Sequence, residues 1–235
     1  MSEERIDAPG ARNGKDAGAG RGAVETLSGI IRQVMPVCRN PVDWAHPLHT
    51  AMTRFGISKD KDAVAVFLAQ IAVESAEMNR LDENLNYSAE RLVAVWPKRF
   101  ANSVEFARKY AHNSAALANY VYGGRMGNVA PDDGYKYRGR GLKMITGKDN
   151  YKACGAAIGV DLLKNPDHLL TKIGAADSAA WYWSNKGLSP IADDLPGDDD
   201  DADFETITRL INGGTLGLEA RRTYWTRAKS ALRLP

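Results

Sequence analysis

The sequence AVAVFLAQIAVESAEMNRLDENLNY, residues 63–87, determines how we interpret the rest of the chain. In its first half, apolar side chains recur at the three- and four-residue spacing of an amphipathic helix. This stripe consists of Val64, Phe67, Ile71, Glu74 and Met78. The carboxylate of Glu74 would be costly to desolvate in such a stripe unless it is paired, protonated or open to a cleft.

A second carboxylate follows nine residues later in a different kind of sequence. Glu83 lies in DENLNYS, residues 82–88, where Asn84 and Asn86 favour a loop. We therefore predict that Glu74 lies against an apolar wall and holds a proton near neutral pH, whereas Glu83 is solvated and ionised. Two carboxylates separated in this way can act as an acid and a base. On the pattern alone, the solvent edge of a helix and an ordinary surface loop are alternative interpretations of the two positions.

The composition favours one globular domain with a short tail. The chain has 235 residues, of which 44% are hydrophobic and 26% charged, and its net charge is +2. This charge gives no reason to expect a nucleic-acid partner, although a slight basic excess suits an anionic polymer. Cys38 and Cys154 lie far apart, and the four histidines do not cluster with them, so neither a disulfide framework nor a metal site is predicted. No segment is apolar enough for stable membrane insertion or for a signal peptide, so we expect the protein to stay in the cytoplasm in which it is made.

The chain is predicted to be mainly α-helical after a flexible tail at residues 1–24, which is rich in glycine and charge. The predicted helices lie at residues 26–35, 46–55, about 59–78, 88–96, 103–110, 114–122, 175–184, 207–211 and 218–232, with another after residue 146. The glycine-rich residues 123–146 predict loops and one small β-hairpin, made of residues 135–138 and 142–145. The run at residues 198–203 predicts a solvated acidic loop.

Four segments, in one order along the chain, resemble a known family. They are FLAQIAVESAEM with ENLNYS (67–78 and 83–88), YRGRGLKMITGKDNY (137–151), SAAWYWSNKGL (178–188), and TRLINGG with EARRTYW (208–214 and 219–225). The chain resembles the glycoside hydrolase family 19 chitinase-like lysozymes, the endolysins of phages and prophages of Gram-negative bacteria. The resemblance covers nearly all of residues 25–235. It implies a two-lobed, mainly α (α+β lysozyme-like) catalytic domain with one small β-hairpin and a central cleft.

The resemblance also implies roles for individual residues. Glu74 matches the general acid, Glu83 the second carboxylate, and Thr146 the residue that helps to hold the attacking water. Substrate contacts are implied for Tyr87, Tyr137, Asn150 and Asn212. The sequence departs from the family motifs at Val73 and Met144, where His and Gln are usual, and Ala76-Glu77 replaces a common Gly-Gly pair.

Structural interpretations exist beside these roles. Thr146 has the spacing of a helix cap with Asp149, and Asn212 can end a helix before two glycines. The aromatic run at residues 181–183 is predicted to belong to the core rather than to a sugar-binding platform. Three basic side chains suit either acidic groups of a substrate or a solvated face, namely Arg138, Arg140 and Lys143.

The function that the resemblance implies is hydrolysis of β-1,4 bonds in the glycan strands of peptidoglycan, without a cofactor or metal. Protonated Glu74 would donate to the leaving oxygen, and Glu83 with Thr146 would activate water on the opposite face, which is the inverting route. The alternatives are a chitinase, a lytic transglycosylase or a catalytically inactive wall-binding module. The family also implies a monomer that needs a holin to leave the cytoplasm of an infected host, reach the periplasm and cell wall, and lyse the cell.

Overall fold

The mainly helical fold class predicted from the sequence is confirmed. In this computed structural model the described residues are 14–193 and 200–235, and they form twelve α-helices and two 3-10 helices, Ile57–Lys59 and Pro166–Leu170. The α-helices are α1 (Gly14–Val34), α2 (Pro41–Arg54), α3 (Lys61–Glu74), α4 (Ala89–Val95), α5 (Val104–Ala107), α6 (Ser114–Tyr122), α7 (Asp133–Lys136), α8 (Lys148–Ile158), α9 (Lys172–Asn185), α10 (Ser189–Ala192), α11 (Asp200–Asn212) and α12 (Leu218–Leu232).

Four helices begin earlier than the sequence patterns predict. Helix α2 begins at Pro41 rather than at residue 46, α9 begins at Lys172 rather than at residue 175, and α1 and α11 differ by more. Helix α1 begins at Gly14, so residues 14–24 of the predicted tail are helical, and residues 1–13 lie outside the described residues. Helix α11 begins at Asp200, so the second half of the predicted acidic loop is helical, and residues 198–199 lie outside the described residues. Acidic side chains in a first helical turn interact favourably with the helix dipole, which explains why this acidic run is compatible with a helix start.

The predicted β-hairpin is wrong. Residues 133–136 form α7, and the remaining pairing consists of isolated bridges that join Arg140 to Asp82 and to Ile145. The chain turns sharply between Arg140 and Ile145, where the amide of Met144 donates to the carbonyl oxygen of Gly141 at 3.2 Å. Both residues have positive φ angles, +80° for Gly141 and +54° for Met144. The turn therefore leaves too few extended residues for a ladder within the described part of the chain.

Helix α3 lies at the centre of the fold and is not amphipathic. Every residue from 63 to 72 is buried, including the alanines and Gln70 between the predicted stripe positions. Helices α10, α11 and α12 pack against it, and Trp183 of α9 meets Phe67 edge-on with ring centroids 5.6 Å apart. Because the helix is enclosed until its last turn, Glu74 lies where the buried core reaches the surface.

A second, aromatic cluster lies apart from this core and comes from residues 85–122 alone. We call it the aromatic cluster; its buried members are Leu85, Ala89, Leu92, Phe100, Ala107, Leu117, Ala118 and Val121. Tyr87 packs on it with its ring edge-on to Trp96, and Tyr110 stacks on Tyr120 at 4.4 Å between centroids. A separate core of this kind agrees with the two-lobed arrangement that the family resemblance implies.

The structure also bears on the cysteines and on whether any described helix could cross a membrane. Cys38 and Cys154 are both free and buried, and burial raises the pKa of the Cys154 thiol to about 12, which keeps it protonated. Among the described helices, none combines the length and apolarity that crossing a bilayer requires.

Candidate active site

Glu74 is the last residue of α3, and both oxygens of its carboxylate are bound by cations. Arg221 of α12 donates from Nη2 to Oε1, and Lys143 donates from Nζ to Oε2 at 3.1 Å. The Glu74 side chain is 13% exposed, so the pair of contacts is mostly shielded from solvent. The carboxylate therefore lies between one buried and one partly buried positive charge.

The prediction that Glu74 lies against an apolar wall is wrong. Opposite charges at hydrogen-bond distance stabilise the ionised carboxylate, whereas an apolar wall would disfavour it. Arg221 is only 2% exposed and is itself fixed by Gln70, whose Oε1 accepts from Nη1. Gln70 in turn donates from Nε2 to Thr208 at 2.9 Å. A buried polar network that spans α3, α11 and α12 thus holds one side of Glu74.

The chain leaves α3 through an unusual left-handed turn. Ala76, Glu77 and Met78 have consecutive φ angles of +50°, +56° and +61°. Glu77 is buried, and its carboxylate accepts hydrogen bonds from the amide of Val37 and from the hydroxyl of Tyr224, both at 2.7 Å. These contacts fix the turn that redirects the chain from Glu74 towards Glu83.

We expect Ala76→Gly to stabilise the protein by about 1 kcal/mol, because glycine has no Cβ to oppose a left-handed conformation. The Ala76 side chain is exposed, so its loss removes no packing. Urea denaturation followed by circular dichroism measures the change in free energy of unfolding. Ala153→Gly, at an exposed position inside α8, is the matched control and should lose about 1 kcal/mol. Destabilisation by both changes would contradict this explanation of the turn.

Glu83 is half-buried and is held by two hydrogen-bond donors rather than free in a solvated loop. The amide of Gly139 donates to Oε1 at 2.6 Å, and the hydroxyl of Tyr122 donates to Oε2 at 2.7 Å. Burial and the neighbouring Glu83 charge raise the pKa of Tyr122 far above its usual value, so the phenol stays protonated and remains a donor. These donors fix the orientation of the carboxylate.

Thr146 lies near Glu83, because both side chains flank the bare backbone of Gly139. A Cβ atom on Gly139 would lie 3.2 Å from Oγ1 of Thr146 and 3.4 Å from the carboxyl carbon of Glu83. Thr146 does not cap the following helix: the residue that caps α8 is Gly147, and Oγ1 of Thr146 donates to the carbonyl oxygen of Met144 at 3.0 Å. The structure therefore places this hydroxyl near the second carboxylate.

One segment, residues 139–146, contacts both carboxylates, and we call it the bridging segment. Its first residue donates to Glu83, and Lys143 in its middle donates to Glu74. Backbone pairing also fixes it to the loop before Glu83, because the Gly141 amide donates to the carbonyl oxygen of Leu81 at 2.8 Å. Thr146 belongs to this segment, and Glu83 and Glu74 are both hydrogen-bonded to it, so one short stretch of backbone connects the three predicted catalytic residues.

The predicted substrate-binding residues divide into exposed and buried positions. Asn150 is exposed and donates to the carbonyl oxygen of Thr146 at 2.7 Å, which places it next to the bridging segment. Asn212 ends α11, also exposed, and Tyr87 is half-buried on the aromatic cluster. Tyr137 is only 2% exposed and packs edge-on against Tyr151, so the structure places its ring in the core, and its contact with substrate stays a prediction.

The basic residues near the site are already paired. Arg138 makes a bidentate pair with Asp82, at 2.8 and 2.7 Å, and the buried Arg140 pairs with Asp167 at 2.9 Å. Together with the Lys143 contact to Glu74, these pairs leave each of the three cations bound to a carboxylate of the protein itself. Of the aromatic run at residues 181–183 that is predicted to belong to the core, Trp181 and Trp183 are buried, as predicted, whereas Tyr182 is half-buried.

Comparison with known proteins identifies the family. The family model described as chitinase class I, of glycoside hydrolase family 19, matches residues 94–223, more than half of the chain. The chain belongs to glycoside hydrolase family 19. A glycosyl hydrolase family 19 domain-containing protein of Haemophilus influenzae is 38% identical to this family 19 protein over 160 residues, which are 67% of this chain and 74% of that protein. Endochitinase 2 of Solanum tuberosum is 42% identical over 100 residues, which cover 34% of this chain and 30% of the endochitinase.

Solved structures of family 19 chitinases share the fold. A bacterial family 19 chitinase has a TM-score of 0.57 at 22% identity, covering 89% of this chain and 96% of that one. Chitinase C from Streptomyces griseus HUT6037 has a TM-score of 0.55 at 20% identity, covering 89% and 93%. The matched residues 94–223 include Thr146 and Arg221 but begin after Glu74 and Glu83. The protein is therefore a chitinase-like glycoside hydrolase, and the roles of these two glutamates are predictions.

Proposed function

We propose that this family 19 hydrolase cleaves β-1,4 bonds in the glycan strands of peptidoglycan, with Glu74 as the acid and Glu83 as the base. The observation that supports the pairing is that the bridging segment contacts both carboxylates, through Gly139 on one side and Lys143 on the other. The peptidoglycan substrate is supported by the resemblance of the Glu74-to-Glu83 region, including ENLNYS, to the lysozyme branch of the family.

The proposed reaction is a single displacement by water. Glu74 protonates the glycosidic oxygen as its bond to the anomeric carbon breaks, while Glu83 removes a proton from water that attacks the opposite face. Each oxygen of Glu83 accepts one hydrogen bond from the protein and retains a lone pair for this proton. The Thr146 hydroxyl, next to Glu83, provides a second polar contact for the water. Both proton carriers are side chains, so this route uses no cofactor.

Chitin hydrolysis is the second candidate. Two observations favour it: endochitinases are among the relatives, and the cations Arg138 and Arg140 are already bound to Asp82 and Asp167 rather than free for acidic groups of a substrate. Digestion of purified sacculi and of chitin oligomers, followed by mass spectrometry, separates the candidates. Reducing muramic ends support the muramidase, anhydro ends indicate a transglycosylase, and cleavage of chitin alone indicates a chitinase. Sacculus binding without any soluble product indicates an inactive wall-binding module.

The biological role that we propose is host lysis at the end of a phage infection. A monomeric enzyme of this kind would stay in the host cytoplasm until a holin opened the membrane, and would then hydrolyse the cell wall from the periplasm. Applied from outside, such an enzyme would be antimicrobial towards permeabilised Gram-negative cells. Lysis by the added protein, with and without an outer-membrane permeabiliser, tests this role.

We expect Glu83→Gln to lower turnover about a hundredfold, because the amide cannot accept the proton of the attacking water. Rates of fragment release from sacculi measure the effect at constant protein concentration. Tyr122→Phe is the matched variant, since it removes one donor to Glu83 but leaves the carboxylate, and its loss should be much smaller. Equal losses in the two variants would assign Glu83 to structure rather than to proton transfer.

A further inference from the structure

The contacts of Glu74 pose a chemical problem for a general acid. A carboxylic acid that donates to substrate must first take up a proton, and here Arg221 donates to Oε1 and Lys143 donates to Oε2. Each cation favours the carboxylate over the acid, so the release of one cation favours proton uptake. The structure distinguishes clearly between the two.

Arg221 cannot leave without disrupting the core. Its side chain is 2% exposed, and Nη1 is held by Gln70, which is itself bonded to Thr208. Lys143 is attached differently. It is on the bridging segment, its side chain is 13% exposed, and its only other described interaction places Nζ 5.0 Å from the ring centroid of Tyr182. An ammonium on a flexible four-carbon stem can move away at low cost.

The charged and titratable groups around Glu74 come from three elements. Arg221 faces it from α12, Lys143 from the bridging segment, and Tyr182 from α9. Burial and the Glu74 charge raise the pKa of Tyr182, so this phenol is neutral at the pH of catalysis. Lys143 is therefore the one movable charge among these three groups.

We propose that Lys143 is a positioning residue that keeps Glu74 ionised in the free enzyme and leaves Oε2 when a carboxylate of the glycan strand binds its ammonium group. Glu74 then takes a proton from solvent at Oε2 and donates it to the glycosidic oxygen. This inference rests on the proposed function, and it makes the site selective for an anionic glycan over a neutral one. Chitin carries no carboxylate to draw Lys143 away, whereas a glycan strand offers the carboxylates of its peptide stems and those of lactyl groups that carry no stem.

The test compares Lys143→Met with wild type on two substrates, soluble peptidoglycan fragments and a chitin hexamer, from pH 4 to pH 9. Without the ammonium group, Glu74 of the free enzyme retains its proton to higher pH, so the alkaline limb of the kcat/KM profile should move up by about one pH unit. The ratio of peptidoglycan to chitin cleavage should fall about tenfold. Lys143→Arg keeps the cation and should restore the wild-type profile. Lys186→Met is the matched control, because Lys186 lies over the same Tyr182 ring at 5.8 Å without a described contact to Glu74.

A second readout does not depend on turnover. Carbon-13 NMR of the Glu74 carboxyl group should show protonation at higher pH in Lys143→Met than in wild type or Lys186→Met. An unchanged carboxyl titration and pH profile would overturn the proposal. A wild type that cleaves only chitin would refute the peptidoglycan substrate and the proposed selectivity, whereas the carboxyl titration would still decide whether Lys143 controls the proton of Glu74.

Discussion

Glu74→Gln should lower the release of soluble fragments from peptidoglycan about a thousandfold. The substitution preserves the size of the side chain and removes the proton that the leaving oxygen needs, and general acids typically contribute two to four orders of magnitude. The amide oxygen can still accept from one of the two cations that bind Glu74, Arg221 or Lys143. Initial rates on purified sacculi, with circular dichroism to check the fold, measure the effect.

Glu90→Gln is the matched control for this change. Glu90 is an exposed carboxylate in the first turn of α4, so its neutralisation alters the net charge equally without affecting the site. We expect this variant to cleave at the wild-type rate. Lysis by Glu74→Gln that approaches the wild-type rate would end the assignment of Glu74 as the acid and leave only the family membership.

Arg221→Met should cost about 3 kcal/mol of folding free energy, the second large effect that the structure predicts. Breaking one half of a buried ion pair leaves the other charge without its main partner in a shielded site. In this variant Glu74 keeps only Lys143, and Gln70 loses the donor to its Oε1. Urea denaturation monitored by tryptophan fluorescence gives the free energy of unfolding.

The origin of this cost can be tested with a double variant. Adding Glu74→Gln to Arg221→Met should cost less than the sum of the two single losses, because the ion pair between Glu74 and Arg221 is already broken once either partner is changed. The neighbouring Arg222→Met is the control, since its ion pairs involve the well-exposed Asp201 and Glu219 and should contribute little. Strictly additive losses in the double variant would show that Arg221 stabilises the fold by packing rather than by charge.

Much of the helical fold follows from local sequence signals. Ser88 and Ser103 cap α4 and α5 by accepting hydrogen bonds from the amides of Arg91 and Phe106, and serine is a common residue at this position before a helix. The bounds of α12 also agree with its predicted range. Gly217 has a left-handed conformation that does not continue into the helix, so α12 begins at the next residue. The hairpin prediction failed because apolar residues near Leu142 are buried in a compact turn rather than in a strand. A buried turn has no characteristic spacing of apolar residues by which the sequence could distinguish it from a short strand.

The environment of Glu74 was beyond prediction because it depends on distant parts of the chain. Arg221 follows Glu74 by 147 residues and Lys143 by 69, and no local pattern indicates that either will meet it. The sequence around a glutamate at the end of an apolar helix is the same whether apolar side chains or cations surround its carboxylate in the folded protein. Tyr122 was missed for the same reason, since its role depends on the packing of α6 beside the loop that holds Glu83.

The aromatic cluster has a consequence for how this enzyme can diversify. Its buried residues all come from one uninterrupted stretch, 85–122, while α3, Arg221 and the bridging segment belong to other parts of the chain. That stretch brings its own hydrophobic interior, so we expect that it can be exchanged between relatives without repacking the network that holds Arg221 and Glu74. Tyr122, the donor to Glu83, lies at its C-terminal end, so an exchange has to keep this tyrosine to preserve the proton-transfer site.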